Sequence, residues 1–388
     1  MKNLPKGWTA CEVSTVAEVN PRKPKAASDE LVSFVGMADV SEDMRLVNHT
    51  PRPYAEVANG FTGFEDNDIL VAKITPCFEN GKGALVTGLT NGKGFGSTEF
   101  HVVRSEDEST RRLLYHHFST HEFRVRGEAN MTGSAGQKRI PTSFISEYVV
   151  PMPPKAEREK IVAILDACDR AIDGTAKLLE KQENRKHALV QRLLGEKSWS
   201  EVKLGQIAKS FSGGTPARSK SHYFKGNIPW IKSGEVNSRF ITNTSETITE
   251  EALKESSAKM VPSESILVAM YGATAGKISI SKIEAAINQA ILAVIPNEGI
   301  DRDFLFYSLE SRIAETLMLV QGAQPNLNAE IIRSIKIALP SADLQIKVAQ
   351  VVRASEKIIH LTQEQLTLLQ QQKKGLMQRL LTGQAFTH

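Results

Sequence analysis

Two stretches of the chain show the hydrophobic spacing of an amphipathic helix. From residue 155 to 194, and again from 344 to 380, apolar side chains recur every three or four positions over about five heptads. Prolines precede both stretches, and Gly195 and Gly383 follow them, where helix ends are expected. At 1.5 Å per residue, a helix of about 40 residues is roughly 60 Å long. The pattern therefore predicts two long helices, each with one apolar stripe.

These two helices are expected to pair, because neither apolar stripe is stable in contact with water. Since each globular part of the chain leads into its own helix, an antiparallel pair is favoured, with the globular parts at opposite ends of a stiff rod. The alternative is that each helix folds back on its own domain, although such uninterrupted length is uncommon in a packed domain. Ten positions are expected to pack in the coiled coil: Ile161, Leu165, Cys168, Ile172, Leu179, Val348, Val352, Ile359, Leu366 and Leu369.

The remaining stretches have a different pattern, in which short β-branched and aromatic runs alternate with Gly, Pro and Asn. Such runs are found at 31–35 and 100–103 in the first half of the chain, and at 266–270 and 290–295 in the second. One helix is expected in each half, at 110–120 and 303–319. Each half is therefore predicted to contain a mixed α+β domain with a substantial sheet.

The second half of the sequence repeats the first. Residues 69–72 and 266–269 are both Ile-Leu-Val-Ala, and residues 191–194 and 378–381 are both Gln-Arg-Leu-Leu. Several matches in the same order, at one offset of about 190 residues, indicate two copies of one unit. The predicted fold class is α+β, with two pseudo-repeated mixed α/β domains, at 1–152 and 197–339, separated by two long helices, at 153–196 and 340–388, that form an antiparallel coiled coil.

Composition excludes several classes of protein. The content of 41% hydrophobic and 24% charged residues is ordinary for a globular protein, and three cysteines without a CxxC pair support neither a zinc knuckle nor a disulfide framework. The first ten residues lack the apolar region of a signal peptide, and no uncharged stretch is long enough to span a bilayer, so a cytoplasmic protein without a membrane partner is expected. The net charge of +4 is too small to indicate nucleic-acid binding by itself, so any DNA-binding face must be a local basic patch.

The sequence gives no positive indication of catalysis. Residues 272–277 (Gly-Ala-Thr-Ala-Gly-Lys) look like a phosphate-binding loop, but the segment is one residue short and Ile278 replaces the hydroxyl that would hold magnesium. A tight turn followed by a strand is the favoured interpretation. His117 and His121 would share one face of a predicted helix, and an ordinary surface pair is favoured there over a metal site.

Polar loops beside the predicted strands occur in both copies and contain residue types that bind DNA. Glycine lets the backbone approach a polyanion, Lys, Arg, Ser and Thr bind phosphates, and Gln, Asn, Arg and Glu recognise base edges. Each loop taken singly is best interpreted as a polar turn, but their joint recurrence favours a nucleic-acid surface.

The chain resembles the specificity subunit of type I restriction–modification enzymes over essentially its whole length. The resemblance rests on the repeat plan, on the proline-to-helix junctions at 151–157 and 339–343, and on four segments similar to elements of the family's target recognition domains. Those segments are 73–82, 213–218, 228–235 and 272–277. Ser341 departs from the family, in which a second proline is common at this position.

The resemblance implies a non-catalytic protein that recognises double-stranded DNA. Each target recognition domain would bind one half of a split sequence, while the paired helices set the gap and dock two modification subunits, which bind S-adenosylmethionine and methylate adenine. Two restriction subunits, with ATP and magnesium, can join them, and no cofactor or metal is expected on this chain. Recognition in successive major grooves needs domain centres roughly 35 Å apart. The residues expected at the DNA face are Lys73, Thr75, Asn80, Lys82 and Lys138 in the first domain, and Thr215, Arg218, Lys220, Lys232, Ser233, Lys277 and Gln324 in the second.

Two other classes of function remain as alternatives. One is an enzyme that binds a nucleotide with the loop at 272–277, which tight binding of ATP by the isolated chain would support. The other is a coiled-coil scaffold that binds no DNA. The DNA sequence of either half-site, and the division of the polar residues between bases and phosphates, do not follow from the sequence.

Overall fold

A computed structural model describes residues 4–134, 136–196, 198–319 and 327–384. The chain divides into two compact units. Unit 1 consists of Met1–Ala176 with Gln365–His388, and unit 2 consists of Lys177–Glu364. Both unit boundaries fall inside the predicted long helices, so each unit contains one globular part and a segment of each helix.

Unit 1 consists mainly of short strands in its first part and of short helices after β9. In chain order its elements are β1 (Thr9–Glu12), β2 (Glu18–Val19), β3 (Leu31–Val35), β4 (Thr50–Pro53), α1 (Tyr54–Val57), β5 (Thr62–Glu65), β6 (Ile69–Ala72), β7 (Gly83–Leu85), β8 (Lys93–Gly96), β9 (Phe100–Arg104), α2 (Glu108–Phe118), α3 (His121–Ala129), α4 (Thr142–Ser146), β10 (Val149–Met152) and the first part of α5 (Lys155–Leu194). The strands form two four-stranded sheets, ordered β2-β9-β6-β7 and β4-β3-β8-β5, and β1 pairs with β10.

Unit 2 has the same plan with one additional strand. After the end of α5, its elements are β11 (Ser200–Lys203), α6 (Leu204–Ile207), β12 (Ala208–Ser212), β13 (Ile228–Ile231), β14 (Phe240–Ile241), β15 (Thr247–Ile248), α7 (Glu250–Lys254), β16 (Lys259–Val261), β17 (Ile266–Ala269), β18 (Ile278–Ser281), β19 (Ala285–Ile287), β20 (Ile291–Pro296), α8 (Arg302–Leu319), α9 (Ala329–Ser334), β21 (Lys336–Leu339) and α10 (Ala342–Leu380). The sheets are ordered β12-β20-β17-β18-β14 and β15-β13-β19-β16, and β11 pairs with β21.

Matching strands occupy matching places in the two units. β6 and β17 have the same sequence, are buried along their whole length, and each lies between two antiparallel partners. β3 runs parallel to β8, and β13 runs parallel to β19. The predicted α+β class and the predicted duplication are therefore confirmed. Unit 2 differs by β14, which pairs parallel with β18 and forms the edge of the sheet.

The predicted elements lie close to the observed ones. The run predicted at 31–35 is β3, and the helices predicted at 110–120 and 303–319 correspond to α2 and α8. α5 and α10 begin and end inside the ranges predicted for the long helices. Among the residues that the structure describes, no helix combines the length and the apolar character needed to cross a bilayer.

In unit 1, the first half of α5 packs antiparallel to the end of α10. Trp8 Nε1 donates to Glu157 Oε2 at 3.0 Å, and Trp8 also lies beside Gly383, just beyond the end of α10. Three turns later on α5, Asp169 Oδ1 accepts a hydrogen bond from Lys373 Nζ at 2.6 Å. Successive residues along α5 therefore contact residues that lie progressively earlier in α10. The two helix segments are antiparallel, as predicted from the pseudosymmetry.

In unit 2, the second half of α5 packs against the beginning of α10 in the same sense. Lys186 Nζ donates to Glu356 Oε1 at 2.7 Å, and Leu194 shares a buried core with Val348 and Val352. The ten positions expected to pack are all buried or half-buried. Those buried are Ile161, Leu165, Ile172, Val348, Val352 and Leu366, and those half-buried are Cys168, Leu179, Ile359 and Leu369.

The apolar stripes also contact the globular part of their own unit. Ile161 and Leu165 belong to the buried core that contains Val13 and Phe118, together with Leu380 from α10. Pairing of the helices and folding back on the domain therefore occur together, although the sequence suggested a choice between them. The reason is that an apolar stripe roughly 100° wide can contact both neighbours.

Candidate nucleic-acid interface

The turn that follows β6 brings three of the predicted residues of unit 1 together. Thr75 N donates to Lys138 O, and Ile140 N donates to Lys73 O, both at 2.9 Å. These backbone hydrogen bonds place Lys73, Thr75 and Lys138 on two adjacent segments of the backbone. Lys138 is exposed and Lys73 is half-buried, and in the described part of unit 1 neither belongs to a salt bridge. The neighbouring Arg139, by contrast, is held by Glu99, with Nη2 and Oε1 2.8 Å apart.

Asn80 and Lys82 lie in the same turn, but their polar atoms are engaged within the unit. Asn80 Nδ2 donates to Glu42 Oε1 at 2.9 Å, and Lys82 Nζ donates to the carbonyl of Met37 at 3.0 Å. Gly81 between them has a φ of 81°, where a side chain would be strained. In this conformation, Asn80 and Lys82 fix the shape of the turn, while the two lysines at its base offer free positive charge.

In unit 2, two of the predicted residues share one carboxylate. Arg218 Nη1 lies 2.6 Å from Glu246 Oε2, and Lys232 Nζ lies 2.6 Å from Glu246 Oε1. The hydrogen bonds from Arg218 and Lys232 lower the pKa of Glu246 below its usual value, so this carboxylate is ionised at neutral pH. The Arg218 guanidinium also stacks 4.3 Å from the ring centroid of Phe224 and 5.2 Å from that of Trp230.

Lys220 and Thr215 are also held by neighbouring side chains. Lys220 Nζ lies 2.7 Å from Glu255 Oε2 and contacts the hydroxyl of Tyr223. The hydrogen bonds that Lys220 donates to Glu255 and Tyr223 raise the pKa of Lys220, so its charge is maintained. Thr215 Oγ1 donates to Gln289 Oε1. Arg218, Lys220 and Lys232 are therefore held by neighbouring side chains in the absence of a ligand.

The turn at residues 272–277 lies beside the loop that carries Lys232 and Ser233. Thr274 Oγ1 donates to Ser233 O at 2.8 Å, and Lys277, at the end of the turn, is exposed. Gly276 has a φ of 82°, and a Cβ there would lie 2.4 Å from Leu317 Cδ1. β18 begins at Ile278, so a tight turn followed by a strand is confirmed and the helix that follows a phosphate-binding loop is not present at this place. Gln324 lies outside the described residues.

Sequence reasoning missed the acidic and aromatic partners of this face. Glu246 is 28 residues from Arg218 and 14 residues from Lys232, and no motif connects them. Glu255 is 35 residues from Lys220, and Gln289 is 74 residues from Thr215. The aromatic residue Phe224, close behind Arg218 in the sequence, was the one signal of a stacked guanidinium.

A separate cluster of titratable side chains lies on α2 and α5 of unit 1. Ligand atoms of His116, Asp166 and Asp169 lie within 4.8 Å of one another, as in a metal site. However, Arg112 Nη1 lies 3.3 Å from Asp166, and Lys373 Nζ lies 2.6 Å from Asp169. These cations neutralise the carboxylates on which a metal ion would depend, so the cluster is better described as an ion-pair network.

The two histidines expected to form a surface pair are separated. His117 is buried on α2, which ends at Phe118, whereas His121 is exposed at the beginning of α3. Burial, with the neighbouring His116, lowers the pKa of His117 to about 3. The prediction of a surface position for His117 was wrong because the break between α2 and α3 is not marked by Gly or Pro.

Comparisons with known proteins agree with this architecture. The family model for the "type I restriction modification DNA specificity domain" matches residues 5–184 and 196–371. Over 198 residues, the chain is 36% identical to the EcoAI specificity subunit of Escherichia coli, a match that covers 50% of this chain and 33% of the relative. Over 206 residues it is 35% identical to the EcoEI specificity subunit of the same species, covering 51% and 34%. The chain thus matches about a third of the length of these relatives.

A solved structure has the same fold over the whole chain. It comes from work on complex assembly and conformational transition of the type I restriction–modification system, and it covers 99% of this chain and 100% of its own length. The TM-score is 0.66 at 17% sequence identity, a likeness that shows the fold. Because the family model matches most of the sequence in two successive copies, the chain belongs to the type I restriction modification DNA specificity domain family.

Proposed function

We propose that this chain is the DNA-specificity subunit of a type I restriction–modification complex, in which each globular part is a target recognition domain for one half of a bipartite DNA sequence. The observation that carries the proposal is the duplicated turn: β6 and β17 are followed by turns that end in Gly81-Lys82 and Gly276-Lys277. Both turns lie beside other basic residues, at Lys138 and at Lys232. Two similar polar faces on two similar sheets suit a split target.

Modification subunits are proposed to dock on α10. In unit 2, five of its apolar side chains point away from the core and are 38% to 53% exposed: Leu344, Ile346, Val351, Ile358 and Leu361. Three of them are spaced by seven residues, the spacing of a second helix-packing stripe. Exposed apolar patches of this kind mark protein interaction sites. This chain is expected to be non-catalytic, and S-adenosylmethionine, ATP and magnesium are expected on the modification and restriction subunits.

The experiment that tests the proposal is methylation by the reconstituted complex. The chain is assembled with its modification subunits and S-adenosylmethionine, and methylated adenines in a genomic DNA substrate are sequenced. The expected result is one split sequence, with two short half-sites at a constant gap. Exchange of residues 4–152 for those of a relative should change one half-site and leave the other unchanged.

The control is the same reaction without this chain. Methylation that follows no split sequence, or that does not depend on this chain, contradicts the proposal. Alanine substitution of Val351 and Ile358 should weaken assembly with the modification subunits without changing the DNA sequence recognised. Leu178, an equally exposed apolar residue on α5, is the matched control for these substitutions.

A further inference from the structure

One carboxylate in unit 1 joins both long helices to the globular part. Asp169 of α5 accepts from Lys373 of α10 at 2.6 Å and lies 3.5 Å from Nη2 of Arg45, in the connection between β3 and β4. Arg45 also contacts Asp173, one turn further along α5. The side chains of Asp169 and Lys373 are only 19% and 14% exposed, so their interaction is shielded from solvent.

Unit 2 contains the same arrangement. Glu356 of α10 accepts from Lys186 of α5 at 2.7 Å and from Arg239, in the connection between β13 and β15. The hydroxyl of Tyr307 on α8 donates to the same carboxylate at 2.7 Å. The Arg239 guanidinium is held in place by the Phe306 and Tyr307 rings, whose centroids lie 4.9 Å and 4.8 Å away.

These two clusters are related by the sequence repeat. The offset of 187 positions from Asp169 to Glu356 is also the offset from Lys186 to Lys373 and between the two Gln-Arg-Leu-Leu segments. The arginines come from equivalent connections, because β3 and β4 correspond to β13 and β15 in sheet order. In each unit, a carboxylate therefore binds an arginine of its own repeat and a lysine from the long helix of the other repeat.

We propose that Asp169 and Glu356 are positioning residues, each of which fixes the orientation of its recognition domain on the helix pair of its unit and so restricts the DNA gap that the complex accepts. This inference rests on the proposed function. Apolar packing between domain and helices is non-directional, whereas charge-assisted hydrogen bonds are directional. Without the carboxylate, a domain stays attached through its core but has more freedom to rotate, and one added base pair turns its half-site by roughly 35° about the DNA axis.

The test uses the assembled methyltransferase and a set of duplexes that contain both native half-sites at the native gap, one base pair shorter, or one base pair longer. We expect Asp169→Asn and Glu356→Gln to methylate the native-gap duplex nearly as fast as the unmodified complex. We expect their preference for it over the altered gaps to fall roughly tenfold, the factor that corresponds to about 1.4 kcal/mol. Arg45→Met and Arg239→Met should have the same effect, and they leave both helix-to-helix pairs intact.

Two controls separate positioning from general loss of structure. Glu364→Gln removes an exposed carboxylate of α10 whose salt-bridge partner within the described residues is His360, at 3.4 Å, and it should leave the gap preference unchanged. Lys186→Arg should preserve the preference, because it keeps a cation beside Glu356, whereas Lys186→Met should lower it.

A gap preference that is unchanged in folded Asp169→Asn, Glu356→Gln, Arg45→Met and Arg239→Met complexes overturns the inference. The inference is also overturned if every variant loses thermal stability and if its methylation rate falls equally on the native-gap and altered-gap duplexes. Such a result indicates a purely structural role. Failure of the proposed function would look different, because the unmodified complex would then show no preference for any split sequence.

Discussion

Two lysines of the candidate DNA face of unit 1 have no salt-bridge partner within the described residues, whereas three basic residues of the candidate face of unit 2 are bound to glutamates. Lys73 and Lys138 are brought together by backbone hydrogen bonds, and in the described part of unit 1 neither has a salt-bridge partner. Arg218 and Lys232 instead share Glu246, and Arg218 stacks on aromatic rings. A free lysine offers its full charge but must be ordered on binding, while a paired arginine is already ordered but partly neutralised.

The difference suggests that one scaffold supports two modes of recognition. The sheets are alike apart from β14, and the two candidate faces differ in their turns and in the acidic residues around them. Unit 1 is suited to strong, salt-dependent attraction to phosphates, and unit 2 is suited to directional contacts whose geometry is set in advance. Four predictions test this comparison, from the largest expected effect to the smallest.

Arg218→Ala should cause the largest loss of DNA affinity. It removes the stacked guanidinium and leaves the Glu246 carboxylate facing DNA with one cation fewer. The loss of a bidentate donor costs about 1–3 kcal/mol, or roughly fivefold to 150-fold in affinity. Titration of the assembled complex with its target duplex at constant salt measures the effect. Arg312→Ala, which removes a guanidinium bound to Glu315 on the exposed side of α8, is the matched control. Equal affinities for the two variants contradict the prediction.

Unit 1 should be the more sensitive of the two to acid. His101, His116 and His117 are buried there, and burial lowers the pKa of each, whereas the described histidines of unit 2 are exposed. These three histidines bind protons near pH 6.5 in the unfolded chain but only at lower pH in the folded chain. Their contribution to the free energy of unfolding is therefore complete above about pH 6.5 and is lost as the pH falls. Between pH 6.5 and about 5, His117 alone should account for up to about 2 kcal/mol.

Amide hydrogen exchange at neutral pH and at about pH 5 measures this difference. Protection should fall more in β6 and α2 than in β17 and α8. His117→Gln should reduce the pH dependence in unit 1 and leave unit 2 unchanged. Equal loss of protection in both units at low pH would show that the buried histidines do not control it.

Combined Lys73→Ala and Lys138→Ala substitutions should weaken binding by a similar factor for all DNA sequences. Each lost phosphate contact lowers the slope of log affinity against log salt by about 0.9. Measurement of affinity at several salt concentrations should therefore give a slope smaller by about 1 to 2. Lys82→Ala is the control, because its ammonium group is bound to the Met37 carbonyl and should affect the turn more than the salt slope.

Glu246→Gln should cause the smallest change in DNA affinity. For non-specific DNA, the affinity should rise, whereas the other substitutions lower it. Removal of the carboxylate charge strengthens attraction to any duplex, by a few-fold at low salt, but it releases Arg218 and Lys232 from their fixed positions. The ratio of specific to non-specific affinity should therefore fall. A parallel rise in both affinities would show that Glu246 acts through charge alone and does not order its partners.

The fold was largely predictable because its signals are local and repeated. Helical spacing located α5 and α10, and the two Ile-Leu-Val-Ala segments located the central strands of both units. The candidate interface was less predictable from the sequence. The turn at 73–82 was predicted from its residue types, but the engagement of Lys82 with Met37 and the pairing of Arg218 with Glu246 depend on contacts between remote segments. Burial of His117 likewise depends on tertiary packing that the amphipathic pattern of α2 does not specify.

The division of the chain has a consequence for biosynthesis. Unit 1 contains the first 176 residues of the sequence, yet Met377, Leu380 and Leu381 complete its hydrophobic core. Unit 2 is a single continuous segment, Lys177–Glu364, so its synthesis is complete before residues 365–388 are translated. Domains usually fold on the ribosome in the order of their synthesis. In this chain, residues 365–388 of unit 1 are translated after unit 2, so the hydrophobic core of unit 1 is complete only once Met377, Leu380 and Leu381 have been synthesised.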